Sequence, residues 1–414
     1  MKNSLFYRAL RKVFYIGKNA CLDARAYLRL LRLKDKTCGN KIRVGFIVQM
    51  AEVWDKQIAV YEELVKRDNT EVFMFVVPPY DIEKKVVMND YENNYFLNNY
   101  PCAVKAVEAQ TGAIDLKEYE LDYVFYQRPY DIYLPDQLRS HRVSTYSKCC
   151  YIPYGFSGAD VFDEGNTNRD FFRNIYFTFM ESSYMQKKLM RKYPISCKLG
   201  IRHVEDLGYP SLEPYFEKRT SETLKTVLWT PRWSYDAKLG GSHFVEYKNL
   251  PFVLQDKFKD IRCVFRPHPL MFGELKSKKL MTETEVETYV SAVENSGIVY
   301  DIGTPIDAVL DEADVLITDY SSIIIMYFLT GKPIIYCKSQ IEFNETFQKL
   351  SQYMYIAESE EDIYRYIDQL SRGDDHLKEK RMEFISCEFS KHIHADKRIV
   401  DRIIADGTGK DLKG

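Results

Sequence analysis

Two stretches place chemically capable side chains directly after apolar, strand-like runs. In "VFRPHP" (264–269) the run ends in Arg266 and His268, and in "DVLITDYSSIIIMYF" (314–328) it ends in Asp319, Ser321 and Ser322. Pro267 and Pro269 restrict the backbone around them, so Arg266 and His268 are held in a stiff turn. A guanidinium grips phosphate through forked hydrogen bonds, and an imidazole N–H can add another. Ser321 and Ser322 stand where the next helix is expected to begin. One serine there could simply cap a helix. Two adjacent hydroxyls beside unsatisfied N–H groups also make a receptor for an anion. The expectation is that this junction holds phosphate.

The elements needed to hold such turns are legible in the apolar pattern. "IRVGFIV" (42–48), "EVFMFVV" (71–77), "LDYVFY" (121–126), "KCCYIPYG" (148–155) and "IYFTFM" (175–180) read as strands. "VWDKQIAVYEELVKR" and "SSYMQKKLMRKY" carry helical period between them. Continuous apolar strands alternating with helices argue a parallel sheet covered on both faces. The alternation restarts at 224 with "LKTVLWTP", "IRCVFRPHP", "SGIVYDIG", "DVLITDYSS" and "PIIYC". Polar residues 213–223 separate the two series. Ligands in such sheets bind beyond the carboxyl ends of strands, where the polar punctuation falls. The expected fold is α/β of GT-B type: two doubly wound Rossmann-like domains facing a cleft, preceded by an amphipathic helical segment. The expected division is 1–40 for that segment, 41–215 for an acceptor domain and 216–414 for a nucleotide-donor domain.

A chain of 414 residues favours two domains over one. The net charge of −2 excludes a globally basic nucleic-acid binder. Nine cysteines without a C-x-x-C pair point to reduced thiols rather than a disulfide framework or a metal cluster. Residues 1–36 depart from the balance, with ten Lys/Arg against Asp23 and Asp35. Phe6, Leu10, Val13, Phe14 and Cys21 recur at helical spacing, and no run reaches the 18 residues a transmembrane helix needs. The segment reads as a basic helix on an anionic membrane surface or as a helix packed on the protein body. The first reading places the protein in the cytoplasm, peripheral at the inner face of the cell membrane.

"RPHP", "YDIGTPIDAVLDEADVLITDYSS", "LTGKPIIYC" and "HADKRIVDRI" together resemble the CDP-glycerol glycerophosphotransferases of teichoic-acid-type polymer synthesis. "VLWTPRW" (227–233) resembles that family's Ala-Pro-Thr-Trp element, and "LGYPSLE" (207–213) its Gly-x-Pro-Arg-x-Asp element. The likeness covers roughly 205–405. It implies a metal-independent enzyme, with no cofactor, that moves glycerol phosphate from CDP-glycerol to a hydroxyl on a lipid-linked or glycan acceptor. CMP is released. It implies donor phosphates on His268, Ser321 and Ser322, and a nucleoside near Gly303, Thr304 and Asp307. No Asp-x-Asp triplet suited to a nucleotide-bound metal occurs in the chain.

One departure bears on mechanism. Where the family carries a His-Gly pair, which looks like the acceptor's base, "YIPYGFSGAD" has Tyr154-Gly155. Tyrosine, with an ordinary pKa of about 10, is a poor base near neutrality. Asp160, Asp163 and His203 are the alternatives, and the sequence leaves them open. Arg128 in "QRPYD" reads as a surface arginine in a turn. A CDP-ribitol or nucleotide-sugar donor, and a non-catalytic family member, stay open as rival readings.

Overall fold

The structure, a computed structural model, describes residues 5–81, 83–84, 86–108, 112–216 and 223–410, with side chains for all but 5–13 and 237. Part of the polar stretch expected as a linker, residues 217–222, lies outside the described residues. The backbone divides into two compact units, one comprising 1–155, 164–211 and 392–414, the other 156–163 and 212–391.

The first unit is built on seven parallel strands: β1 (Ile42–Val48), β2 (Thr70–Val76), β3 (Ala103–Lys105), β4 (Tyr123–Tyr126), β5 (Lys148–Tyr151), β6 (Phe177–Phe179) and β7 (His203–Glu205). Their order across the sheet is β7-β6-β5-β4-β1-β2-β3. The second unit holds six more: β8 (Thr226–Thr230), β9 (Arg262–Phe265), β10 (Val299–Tyr300), β11 (Val315–Thr318), β12 (Ile334–Cys337) and β13 (Tyr355–Ala357). They run β10-β9-β8-β11-β12-β13, again all parallel. In both sheets the first strand in sequence lies between the second and the fourth, which is the doubly wound arrangement with a switch point beside that first strand. The expected Rossmann-like α/β pair is thus present.

The helices needed below are α1 (Leu5–Lys34), α2 (Ile58–Val65), α3 (Ile306–Glu312), α4 (Ile323–Phe328) and α5 (Ala395–Gly407). α1 packs on the first unit. Ala26, Leu30 and Leu33 are buried along it. Arg29 donates from Nη2 to Asn174 Oδ1 at 2.6 Å, and Arg173 donates from Nη2 to Asn19 Oδ1 at 2.7 Å. The packed-helix reading therefore holds for the second half of α1. Phe14, Tyr15 and Ile16, in the first half, are 74%, 64% and 57% exposed.

α5 also belongs to the first unit, although expected in the second domain. Ile399, Val400 and Ile403 are buried, and α5 packs on α2. Asp406 accepts from the buried Lys148 Nζ at 2.7 Å and from the Tyr176 hydroxyl at 3.2 Å. The reverse exchange involves residues 156–163, which leave the first series of strands and pack in the second unit. Asn344 N–H donates to Gly158 O at 3.0 Å, and Asn344 Nδ2 to Ser157 O at 2.9 Å. A Cβ on Gly158 would lie 2.5 Å from the buried Phe347 ring, so this close approach demands glycine.

Candidate functional site

The register of the second sheet sets out the site. Trp229 on β8 pairs with Phe265 on β9 and with Ile317 on β11. Three residues past each of these stand Arg232, His268 and Tyr320, at the carboxyl ends of adjacent strands. A buried hydroxyl pair ties two of the ends, Thr230 Oγ1 donating to Thr318 Oγ1 at 2.9 Å. Between the ends lies a cavity of about 390 Å³. Arg232, Trp233, Arg266, His268, Tyr320, Ser321 and Ser322 line it, with Ile306 from the start of α3 and the prolines of both turns. Its place is the switch point of the sheet, where ligands of doubly wound folds bind.

His268 meets the cavity with its ring 6.1 Å from that of Trp233. The Leu270 N–H donates to Nδ1 at 3.2 Å, which leaves the ring proton on Nε2 as a donor. Burial, with the nearby Arg232 charge, lowers the imidazole pKa from its ordinary value. His268 is therefore a neutral donor at pH 7.

Arg266 lines the cavity but is partly engaged. Nη1 donates to the Thr304 carbonyl at 2.8 Å and pairs with Asp301. Burial raises the Asp301 carboxyl, but hydrogen bonds from Thr304 and Arg266 outweigh it and leave it below the usual range. The Arg266–Asp301 pair thus pins the 301–304 turn.

Ser321 and Ser322 fall at the expected junction, with α4 starting two residues later than expected. Ser321 Oγ accepts from the Ile323 N–H at 3.3 Å, while Ser322, at the cap position, makes no side-chain cap bond. Ser322 is exposed and lines the cavity, and its hydroxyl is not used as a helix cap.

Asp319 does not line the cavity. It is buried, and its carboxylate accepts from the Arg232 N–H at 2.8 Å and meets His243 Nδ1 at 2.6 Å. Burial works against a charge on His243, yet the Asp319 carboxylate outweighs it and raises the His243 pKa. Asp319 shapes the turn that presents Arg232; it does not reach the cavity itself. Gly303 and Thr304 are exposed, and a Cβ on Gly303 would meet open space. Asp307, also exposed, accepts from the Tyr215 hydroxyl. Of the turn from 303 to 307, only Ile306 lines the cavity.

Residues 156–163 rest against this site. Phe162 stacks on Tyr320 at 5.7 Å, and the Tyr320 hydroxyl accepts from the Gly158 N–H at 3.3 Å. Burial pushes the Tyr320 phenol up to about 12. Asp163 is fully buried and accepts from Ser157 Oγ at 2.8 Å; Asp160 is exposed. Of the two carboxylates, Asp160 is the one at the surface.

The first unit holds the other candidates. Tyr154 is half-buried, its hydroxyl 2.9 Å from that of Tyr130. Burial first, then Tyr130, raises its pKa above the ordinary value, so it keeps its proton at neutral pH. Arg128 stacks on Tyr133 at 4.9 Å and Tyr130 at 5.5 Å. His203 opens β7, at the amino end of its strand, and accepts or receives a contact from Arg402 at 3.2 Å. That end is opposite to the one where such sheets bind ligands. Burial, then the Arg402 charge, lowers the His203 pKa to about 4.

Arg232 was not among the residues singled out from the sequence. Its signal was available: "TPR" after β8 repeats the strand-proline-cation pattern of "RPH" after β9.

Two doubly wound parallel sheets in succession, with a basic and hydroxyl-lined cavity at the second switch point, define the GT-B class of transferase. The chain belongs to the CDP-glycerol:poly(glycerophosphate) glycerophosphotransferase family, which matches residues 167–405. It is accordingly a transferase of the glycerophosphotransferase kind. Among solved structures, the wall teichoic acid polymerase TagF is 18% identical, with 99% of this chain and 100% of that chain covered and a TM-score of 0.51. A UDP-GlcNAc 2-epimerase from Neisseria meningitidis, bound to UDP-GlcNAc, is 10% identical over 88% of this chain and 100% of that chain, with a TM-score of 0.54. At these identities the likeness is one of fold. No curated protein matches the chain.

Proposed function

We propose that the chain transfers glycerol phosphate from CDP-glycerol to a hydroxyl of a lipid-linked or glycan acceptor in a teichoic-acid-type polymer, releasing CMP. The observation that carries this reading is the cavity at the β8, β9 and β11 ends, in a chain of this family. In the proposed reaction the acceptor oxygen attacks the phosphorus that bears glycerol. The bond from that phosphorus to the oxygen of the CMP phosphate breaks, and CMP takes the electron pair. The acceptor proton passes to a base. His268 donates from Nε2 to a donor phosphate, and Ser321 and Ser322 add hydroxyls. Phosphoryl transfer needs mostly positioning and charge stabilisation, which such groups supply. Asp160, an exposed carboxylate on the segment packed against Tyr320, is the proposed base. The turn at 303–307 is the proposed neighbour of the nucleoside.

The proposed station is the inner face of the membrane, with Phe14, Tyr15 and Ile16 at an anionic lipid surface and Lys18 and Arg25 beside them. No described helix is long and apolar enough to cross a membrane. The deciding measurement is nucleotide release from CDP-glycerol, CDP-ribitol and UDP-GlcNAc, each with and without EDTA. CMP release from CDP-glycerol that persists in EDTA is expected. Turnover of UDP-GlcNAc alone would replace the donor, and activity restored only by magnesium would replace the metal-free reading.

A further inference from the structure

The cavity contains a cation that the resemblance did not assign. Position 232 falls where the family's Ala-Pro-Thr-Trp element has threonine, and here it is arginine. The side chain is built in rather than trailing in solvent. Its guanidinium lies 5.1 Å from the Tyr320 ring centre and 5.8 Å from that of Phe162. Nη1 donates to the Tyr320 carbonyl at 2.6 Å. Its backbone N–H is fixed on the buried Asp319 at 2.8 Å. Nε, by contrast, is buried and has no hydrogen-bond partner among the described residues. A buried N–H of a charged group left unsatisfied is costly, so such a group needs a reason to persist. Its nearest full counter-charge, Asp319, already serves two backbone N–H groups and His243.

The opposite wall of the cavity gives the reason. Arg266 spends its Nη1 on Asp301 and Thr304, so it offers less to a ligand than its position suggests. His268 is neutral. Without Arg232, a donor with two phosphates would meet hydroxyls, one imidazole N–H and a half-committed guanidinium. Resting on the donor-site reading above, we propose that Arg232 is the principal charge partner of the donor diphosphate and stabilises the negative charge that gathers on the departing CMP phosphate. An arginine matches phosphate with a planar fork, which lysine cannot reproduce. Two aromatic rings and the Tyr320 carbonyl hold that fork in place before the donor arrives, so little reorganisation is needed during transfer. Phe162 acts in this arrangement as a positioning residue, because it supplies one of the two rings.

The test separates this assignment from the site itself. Arg232→Gln, Arg232→Lys and His268→Ala are compared with wild type for CMP release from CDP-glycerol and for binding of CDP and of cytidine, with thermal unfolding as the control for folding. Arg232→Gln is expected to lower kcat by about a hundredfold or more, as loss of one preorganised charge partner does. It should weaken CDP while leaving cytidine unchanged, and millimolar guanidinium should restore part of the rate. Arg232→Lys is expected to recover only a minor part. Full turnover and full CDP affinity in a folded Arg232→Gln protein, with His268→Ala impaired, would overturn the Arg232 assignment and leave the donor site standing. Full turnover in both would overturn the donor site, and the assignment with it. Equal losses of CDP and cytidine binding would also overturn it, since they would show a structural role.

Discussion

Tyr154 and Asp160 are the candidates for the proposed base, and their surroundings separate them. Burial and the Tyr130 hydroxyl keep Tyr154 protonated, so Tyr154→Phe is expected to retain substantial CMP release. Asp160→Asn is expected to lose about 10² to 10⁴ in rate, the usual contribution of a positioned base. A dead Tyr154→Phe beside a working Asp160→Asn would reverse the two roles. His203 offers a separate reading in stability. Its folded pKa of about 4 lies below the ordinary 6.5, so between these values the unfolded chain binds a proton that the folded chain refuses. The contribution is complete above pH 6.5 and is lost as pH falls through about 4. By about 1.4 kcal/mol per unit, the loss amounts to about 3.5 kcal/mol. Urea unfolding at pH 7 and pH 4.5 should show this, and His203→Gln should flatten it. An equal slope in the variant would assign the loss to other groups.

At the scale of elements, α1 exposes Phe14, Tyr15 and Ile16 in its first half and packs its second half on the first unit. Ala26, Leu30 and Leu33 are buried against the first unit, so deleting residues 1–36 is expected to destabilise the body. Truncating a buried leucine such as Leu30 or Leu33 to alanine costs about 2–5 kcal/mol. The cleaner variant is Phe14→Ser with Tyr15→Ser and Ile16→Ser. It is expected to keep wild-type stability and lose binding to phosphatidylglycerol vesicles, read by sedimentation at low salt. Unchanged binding would move the membrane contact elsewhere. The long apolar strands were legible because two buried faces leave continuous runs such as "IRVGFIV". β3, β7 and β13 were not, and each is a three-residue strand at a sheet edge. "AVK", "HVE" and "YIA" are too short for periodicity to register. The strand-end placement of Arg266, His268 and Ser322 around one cavity was legible for the same reason as the core strands. Asp319 was misplaced because sequence shows that a carboxylate follows a strand, not which way it turns. Arg232 is not marked by the resemblance, because the Ala-Pro-Thr-Trp element has threonine at that position.

For the whole molecule, two α/β series could be counted in the sequence, but not the exchanges between them. Residues 156–163 join the second unit through backbone bonds to Asn344 and the fit of Gly158 on Phe347, neither of which has a local pattern. α5 joins the first through Asp406, far along the chain from Lys148 and Tyr176. A chain stopped at 391 would leave the buried Lys148 without its carboxylate, at a cost of about 3–5 kcal/mol. Such a truncation is expected to be insoluble, and Lys148→Met in the same background should recover part of the folded yield. A stable, soluble 1–391 protein would show that α5 is dispensable. The return of α5 also has a consequence for how the molecule comes into being. During synthesis the first unit emerges early but lacks its final helix until residues 212–391 have been made, a wait of roughly 10–40 s at ordinary translation rates. Through that interval the α2 face that α5 will cover has no partner helix, so the first unit cannot be completed until the whole second unit has been synthesised.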